Sequence, residues 1–550
     1  MLDINDTIAK PYGWKNDVSP KIKSKDDAIL YEMHIRDFTI DNTSGVSNAL
    51  KGTFLGAVQE NTYYEDKKNN KIVKTGIDHL VELGITHVHL LPVFDFGSVD
   101  ERFPNSNNRN WGYDPKNFNV PEGSYSTNPY NPVNRIIEFR EMIFKFHNKG
   151  IRVVMDMVYN HMMSTLNMDN IVPGYYFRTD YLGRYTNGSG CGNEMCTERP
   201  MVRKFIVDSC MHWIKDYHID GIRFDLMELI DIDTVKEIVS KSNKYDKNFL
   251  VYGEPWKGGN SPIKNGTYKG SQKNQNFSIF NDTFRDAIRG NNDPSKGYIN
   301  GNQYNSTINW SIIEGLKGSV YTITSKPNES INYIDAHDNY TIWDQIEKSQ
   351  NYNVVNGNYR KNIPADSFDS MFVRQNLLGI GILMTAQGIP FIQEGSEILR
   401  TKQGDHNSYK SDDFINAIKW SDKIKYIQVF NYYKGLIEIR KELPFFKIGD
   451  SEIIKKNINF KFANNDETSG VIISHIDLGK LGQCLVIYNG TSIDSYDVNN
   501  DAPKSTLGYW TVLADDKNAY KNGLYTVANN CIPKLRSFSF MILCSGINRI

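Results

Sequence analysis

Short apolar runs recur along this chain. Each ends in a polar or charged residue, and stretches with helical spacing lie between them. The runs are 28–38 (AILYEMHIRDF), 87–95 (HVHLLPVFD), 152–161 (RVVMDMVYNH), 219–227 (IDGIRFDLM), 249–256 (FLVYGEPW), 331–339 (INYIDAHDN) and 389–398 (IPFIQEGSEI), with a weaker candidate at 277–281. Their length and β-branched content predict strands. Segments 77–83, 136–148 and 202–217 carry helical periodicity between them. Strands alternating with helices predict a parallel sheet with helices outside it.

A closed barrel and an open doubly wound sheet share that alternation. The run ends favour the barrel: Asp37, Asp95, Asn160, His161, Asp225, Glu254, His337, Asp338 and Glu394 would all gather on one face. No strand is followed by a glycine-rich phosphate loop, so nucleotide binding has no fingerprint here. The expected fold is therefore α/β, a (β/α)8 TIM barrel over 28–446. A long loop insertion at 162–200 follows the third strand, and a connection of that size usually has a function. From 447 to 550 the texture changes to short strands at 470–476, 484–488, 509–513 and 537–543. These predict a C-terminal antiparallel β-sandwich domain. Residues 1–27 form a short leading segment.

Composition narrows the partners. With a formal net charge of −1 over 550 residues, no basic surplus drives binding to nucleic acid or an anionic membrane. A neutral polymer suits this surface better. Aromatic residues make up 12%, including 32 tyrosines, whose flat faces and polar tips suit sugar rings as well as cores. The six cysteines form no dense framework. Cys191 and Cys196 are close enough in sequence to pair, but nothing demands it. No zinc spacing, signal peptide or membrane-spanning run is evident, so a cytoplasmic location is expected. The oligomeric state is not legible.

Two strand-end carboxyls carry the candidate chemistry. Cleaving a glycosidic bond with retention needs one carboxylate to attack the anomeric carbon. A second carboxyl, about 5–5.5 Å away, must protonate the leaving oxygen. Asp225 and Glu254 end consecutive strands. Arg223 lies two residues before Asp225, hence on the same face, and would keep it ionised. Glu254 is followed by Pro255 and Trp256. An indole wall with few charges would raise its pKa, as an acid requires. Asp338, beside His337, could stabilise a positive oxocarbenium-like centre. Taken alone, each such acid reads as a solvated cap or an ion-pair member; the ordered set of three carries the inference.

These residues match a known pattern. RVVMDMVYNH, DGIRFDLM, VYGEPW and IDAHDN resemble the four motif regions of the α-amylase superfamily, glycoside hydrolase family 13. NWGYDP at 110–115 resembles the signature of type I pullulanases, which hydrolyse α-1,6 branch links. VPGYYFR, ERPMVRKFIVDS and HNSY at 406–409 reinforce that likeness, which runs from about residue 28 to the C-terminus. The resemblance implies a retaining α-1,6 debranching hydrolase acting on pullulan, limit dextrins or glycogen-derived α-glucans. It implies Asp225 as nucleophile, Glu254 as acid/base and Asp338 as transition-state stabiliser. Substrate contacts are implied from Trp111, Tyr113, Asp114, Asn160, His161, Arg223, Trp256, His337 and Tyr409, with Asp156 shaping the site. No cofactor is required and no metal ligand is assigned; calcium, which the position of Asn160 binds in some amylases, is left open but not indicated. An α-1,4-acting amylase, neopullulanase or oligo-1,6-glucosidase of the same superfamily is the alternative. A non-catalytic glucan-binding protein is a further one, disfavoured because all three acids are present. Two departures stand out. Arg109 replaces the tyrosine usual before NWGYDP, a position expected at the rim with little effect. The carbohydrate-binding modules usual ahead of the barrel have no counterpart in 1–27.

Overall fold

The computed structural model describes residues 3–103, 108–350, 359–360 and 363–547. Eight parallel strands form the barrel: β1 (Leu30–Met33), β2 (His87–Leu90), β3 (Arg152–Met157), β4 (Gly221–Phe224), β5 (Leu250–Gly253), β6 (Ser278–Phe280), β7 (Ser330–Tyr333) and β8 (Ile389–Gln393). Each lies beside its successor, and β8 closes on β1. All eight predicted runs are strands, including the weak one at 277–281. The ladder is in step across β1, β2 and β3, with Leu30 opposite His87 and His87 opposite Arg152. Strands of a barrel are covered on both sides, so they read as unbroken apolar runs, and every residue of β1 to β8 is buried.

Helices α1 (Gly76–Leu83), α2 (Pro132–Asn148) and α3 (Pro200–Tyr217) precede β2, β3 and β4. The start of α2 is set by Asn131, whose side chain accepts from the Val133 N–H, and by Pro132, whose fixed φ suits the first turn. Helix α3 ends at His218, in the left-handed region at φ 58°. That stop turns the chain directly into β4, so the registers of Arg223 and Asp225 follow from it.

The chain forms two compact units. The first comprises Met1–Val81, Ile85–Phe280 and Ser408–Trp420; the second comprises Glu82–Gly84, Asn281–Asn407 and Ser421–Ile550. The first holds β1 to β6 and the insertion after β3. That insertion is ordered by a Phe177–Met195 bridge and by Arg178, which donates to Glu198 at 2.7 Å and to the Leu229 carbonyl at 3.0 Å.

The second unit holds β7, β8 and the expected antiparallel region. Its strands are β9 (Ile458–Phe462), β10 (Val471–Asp477), β11 (Gln483–Asn489), β12 (Tyr509–Ala514), β13 (Tyr525–Ala528) and β14 (Ser539–Ser545). They join in one six-stranded sheet, ordered β9-β10-β11-β14-β12-β13. One face packs Val471, Ile473, Leu485, Ile487, Trp510, Val512, Met541 and Leu543 against Val498, Ile532 and Leu535 from the connections. On the other face the Tyr488 hydroxyl meets Thr385 of α4 (Met371–Thr385) at 2.7 Å. Among the described residues, no helix is long and apolar enough to cross a membrane.

Candidate active site

The catalytic face is built on a polar layer inside the barrel. Asp156 on β3, Arg223 on β4 and Tyr252 on β5 lie in register. Arg223 Nη1 donates to both Asp156 oxygens at 2.8 Å. His89 on β2 approaches Asp156 at 3.4 Å, and the Tyr252 hydroxyl lies 3.2 Å from the other His89 nitrogen. The Tyr113 hydroxyl donates to Asp156 Oδ2 at 2.7 Å. Burial alone would raise the Asp156 pKa, but the Arg223 charge and these hydrogen bonds hold it at about 2. Asp156 therefore works as a fixed anion that aims Arg223.

Arg223 in turn spans the two candidate catalytic acids. Its Nη1 lies 3.1 Å from Asp225 Oδ1, and its Nη2 is paired with Glu254 Oε1. One guanidinium thus fixes both carboxylates at the strand ends. The Asp225 N–H donates to the Met157 carbonyl, and the Glu254 N–H to the Phe224 carbonyl, both at 3.1 Å. Asn160 donates from Nδ2 to Asp225 Oδ2 at 2.7 Å and to the Asp225 carbonyl at 3.0 Å. Between the acids, Leu226 has φ 41° and ψ 52°, a left-handed conformation costly for a branched side chain. The kink points its N–H at Glu254 Oε2, 3.0 Å away. The Asp225 side chain is 14% exposed and Glu254 is 6% exposed. The expectation that Glu254 sits among few charges is corrected by this arrangement, because the same arginine reaches both acids. Trp256 is half-buried beyond it.

His161 is buried, with Nδ1 2.6 Å from Asn160 Oδ1. Burial lowers its pKa to about 4, so it is a neutral hydrogen-bonding group at pH 7. Tyr113 is half-buried with its ring beside Arg223, 5.8 Å from ring centre to guanidinium carbon. Trp111, anticipated as a substrate contact, is buried edge-on between Tyr113 and Tyr409, at 6.5 and 6.3 Å. It supports the two tyrosines. Asp114 accepts from Ser98 at 3.0 Å and fastens the loop base.

Arg109 departs most from expectation. It is buried, not at the rim. Its Nε donates to Asp37 Oδ1 at 2.7 Å and its Nη2 pairs with Asp37 Oδ2. Its Nη1 donates to the Ser408 and Tyr409 carbonyls at 2.9 and 3.2 Å.

In the second unit, His337 is buried and the Asp338 side chain is 57% exposed. Lys402, buried, donates from Nζ to the His337 carbonyl at 2.7 Å. The Lys402 N–H rests on Asp344 Oδ2 at 2.9 Å. Sequence reasoning missed His89, Tyr252 and Lys402. For His89 and Tyr252 the available signal was a polar residue on the inward side of an apolar strand.

Among the described residues, one group of acids is close enough to share a cation: Asp95, Glu101 and Glu122, with ligand atoms within 4.8 Å of one another. Arg135 already pairs with Glu101 there. Cys191 and Cys196 are free thiols.

Residues 71–171 match the family model for the α-amylase catalytic domain. The chain is 34% identical over 532 residues to a pullulanase of Bacillus subtilis strain 168, covering 93% of this chain and 70% of that one. It belongs to the pullulanase family. A solved pullulanase from Bacillus acidopullulyticus superposes with a TM-score of 0.87 at 36% identity, covering 99% of this chain and 64% of that chain. A pullulanase from Paenibacillus barengoltzii, solved with maltohexaose and α-cyclodextrin, gives a TM-score of 0.85 at 32% identity, covering 100% of this chain and 81% of that chain. These pullulanases are longer than the present chain.

Proposed function

We propose that this chain is a retaining glycoside hydrolase that cleaves α-1,6-glucosidic branch links in pullulan, limit dextrins or related α-glucans. The observation that carries the reading is the single guanidinium of Arg223 set between Asp225 and Glu254. In this reading Asp225 attacks the anomeric carbon. Glu254 protonates the departing oxygen and then deprotonates the incoming water. Asn160 and Arg223 hold and aim Asp225. As the glycosyl–enzyme bond forms, negative charge leaves Asp225, and the same arginine can compensate Glu254 once it has given up its proton. Asp338 stabilises the oxocarbenium-like centre. Tyr113 offers a ring fixed by its hydroxyl to the sugar at the point of cleavage. The chemistry needs no cofactor, since both proton transfers and the nucleophile come from side chains.

Membership in the pullulanase family and the NWGYDP and HNSY loops support the α-1,6 assignment. A reducing-sugar assay on pullulan with product sizing tests it. Maltotriose as the main product is expected; panose would transfer the reading to α-1,4 cleavage, and intact polymer after long incubation would remove it.

A further inference from the structure

The segment carrying NWGYDP and the segment carrying HNSY are joined by one side chain. Arg109 grips Asp37 at two points and also donates to the carbonyls of Ser408 and Tyr409. The second segment is held from the same acidic residue at its far end, where the Ile418 N–H donates to the Asp37 carbonyl at 2.9 Å. The Trp111 N–H donates to the Tyr409 carbonyl at 3.1 Å, which stitches the segments a third time. His34, one turn before Asp37, lies 3.1 Å from the Asn110 carbonyl. Asp37 follows β1, so the clamp is anchored on the barrel itself. Its carboxyl is held well below the ordinary range: burial opposes ionisation, and the charges of Arg109 and His34 more than offset it.

The clamp determines where three rings stand. Trp111 packs edge-on against Tyr113 and Tyr409, and Tyr113 is tied through Asp156 to the arginine between the catalytic acids. A tyrosine, the residue usual in the family at position 109, has one hydroxyl hydrogen. It cannot hold a carboxylate at two points and donate to two carbonyls as well. In this chain the aromatic wall is therefore fixed before substrate arrives. Ordering it does not subtract from binding.

We propose that Arg109 is a positioning residue that presets the wall of Trp111, Tyr113 and Tyr409 and so governs how tightly the site takes a branched α-glucan. The proposal rests on the debranching reading of the site. A purely structural role for Arg109 would appear in stability alone. A positioning role appears in KM, because the wall binds sugar without taking part in bond cleavage.

The test is steady-state kinetics on pullulan with R109Y, R109L and R109K, each assayed well below its own unfolding temperature. R109L takes the arginine away from buried Asp37 and can unfold, so the double variant D37N/R109L is made alongside it. The expected result is a rise in KM of about ten-fold in R109Y, R109L and the double variant, the size expected when one or two ring side chains must be ordered on binding. The kcat should stay within about three-fold. R109K, which keeps a charge on Asp37 but loses the fork, should fall between these and the unaltered chain. Folded variants with unchanged KM, or with only a lowered unfolding temperature, would overturn the proposal. If the unaltered chain releases no maltotriose from pullulan, the functional reading fails first, and the two failures are told apart by that control.

Discussion

His147 is held at both ring nitrogens. Asp17 takes Nδ1 at 2.8 Å and Asp220 takes Nε2 at 2.9 Å. Asp220 immediately precedes β4, the strand that presents Arg223, and its Oδ2 also accepts the Val153 N–H of β3 at 2.8 Å. One imidazolium therefore pins the leading segment, the end of α2 and the entry to β4. Burial opposes its charge, but the two aspartates prevail and raise its pKa to about 9. An unfolded histidine titrates near 6.5. The raised value means the stabilisation is complete below about pH 6.5 and disappears as pH climbs through about 9. H147Q should lose on the order of 3 kcal/mol relative to the unaltered chain near pH 6 and little above pH 9. Urea denaturation of both proteins across that window measures it. A gap that does not shrink with rising pH would contradict the assignment. Asp17 and Asp220 act with the opposite sign. Their pKa values are lowered against their own burial, chiefly by hydrogen bonding to His147, so their contribution fades as pH falls below the ordinary carboxylate range.

D225N and E254Q should both abolish most turnover on pullulan. Losing a positioned acid/base group alone costs roughly 10²–10⁴-fold, and D225N, which removes the proposed nucleophile, should lose at least as much. Each amide keeps one oxygen to accept from Arg223 but turns its NH2 towards a donor, Asn160 Nδ2 or the Leu226 N–H, so stability should fall only by the cost of one hydrogen bond, about 1 kcal/mol. Added azide should rescue bond cleavage in D225A, whose truncated side chain leaves room for a small anion where the carboxylate stood, and the product should have inverted stereochemistry. Near-normal turnover in either variant would reassign the roles.

Tyr113 performs two tasks that two substitutions separate. Y113F keeps the ring but leaves Asp156 without the hydroxyl, at a cost of about 1 kcal/mol in stability. Y113A removes the ring as well and should weaken substrate positioning by about 1–3 kcal/mol, read as a rise in KM or a fall in kcat/KM. Equal kinetics for the two variants would show that the ring does not meet substrate.

The barrel was legible because its strands are short, buried on both sides and punctuated by charged ends. Ser278–Phe280 was weak because three residues carry almost no periodicity. The edge strands Ile458–Phe462 and Tyr525–Ala528 were missed for another reason: at the sheet margin their polar and exposed positions resemble turns. The acids of the site were visible at strand ends, but their joint arginine was not. Arg223 could be placed on the face of Asp225 by alternation, whereas its reach to Glu254 depends on the register between β4 and β5. The role of Arg109 was further out of reach, since its carboxylate partner lies 72 residues away and its carbonyl partners about 300. The Leu226 kink leaves no trace in composition, because a branched residue there argues against the conformation it adopts.

Cys484 and Cys544 stand directly opposite each other on β11 and β14, both fully buried, and both are free thiols. Burial, with the neighbouring Cys544 thiol adding to it, keeps the Cys484 thiol well above its ordinary pKa, and both sulfurs are closed off from solvent in the folded sheet. Opposed residues in an antiparallel ladder have Cα atoms about 4.5–5.5 Å apart, inside the span a disulfide bridges. The pair should therefore join when the chain folds in the presence of a small disulfide, before the sheet closes over it. Two protein thiols are oxidised as one glutathione disulfide is reduced to two thiols. Refolding with oxidised glutathione should yield one cross-linked peptide containing both residues and no glutathione adduct on either, whereas the exposed Cys191 and Cys531 are open to mixed disulfides. Closing a loop of this size should add about 4 kcal/mol to unfolding of the sheet. The C484A/C544A double variant should show neither change. Cys484 and Cys544 left as free thiols or glutathione adducts after oxidative refolding would mean that the strands do not bring these sulfurs together.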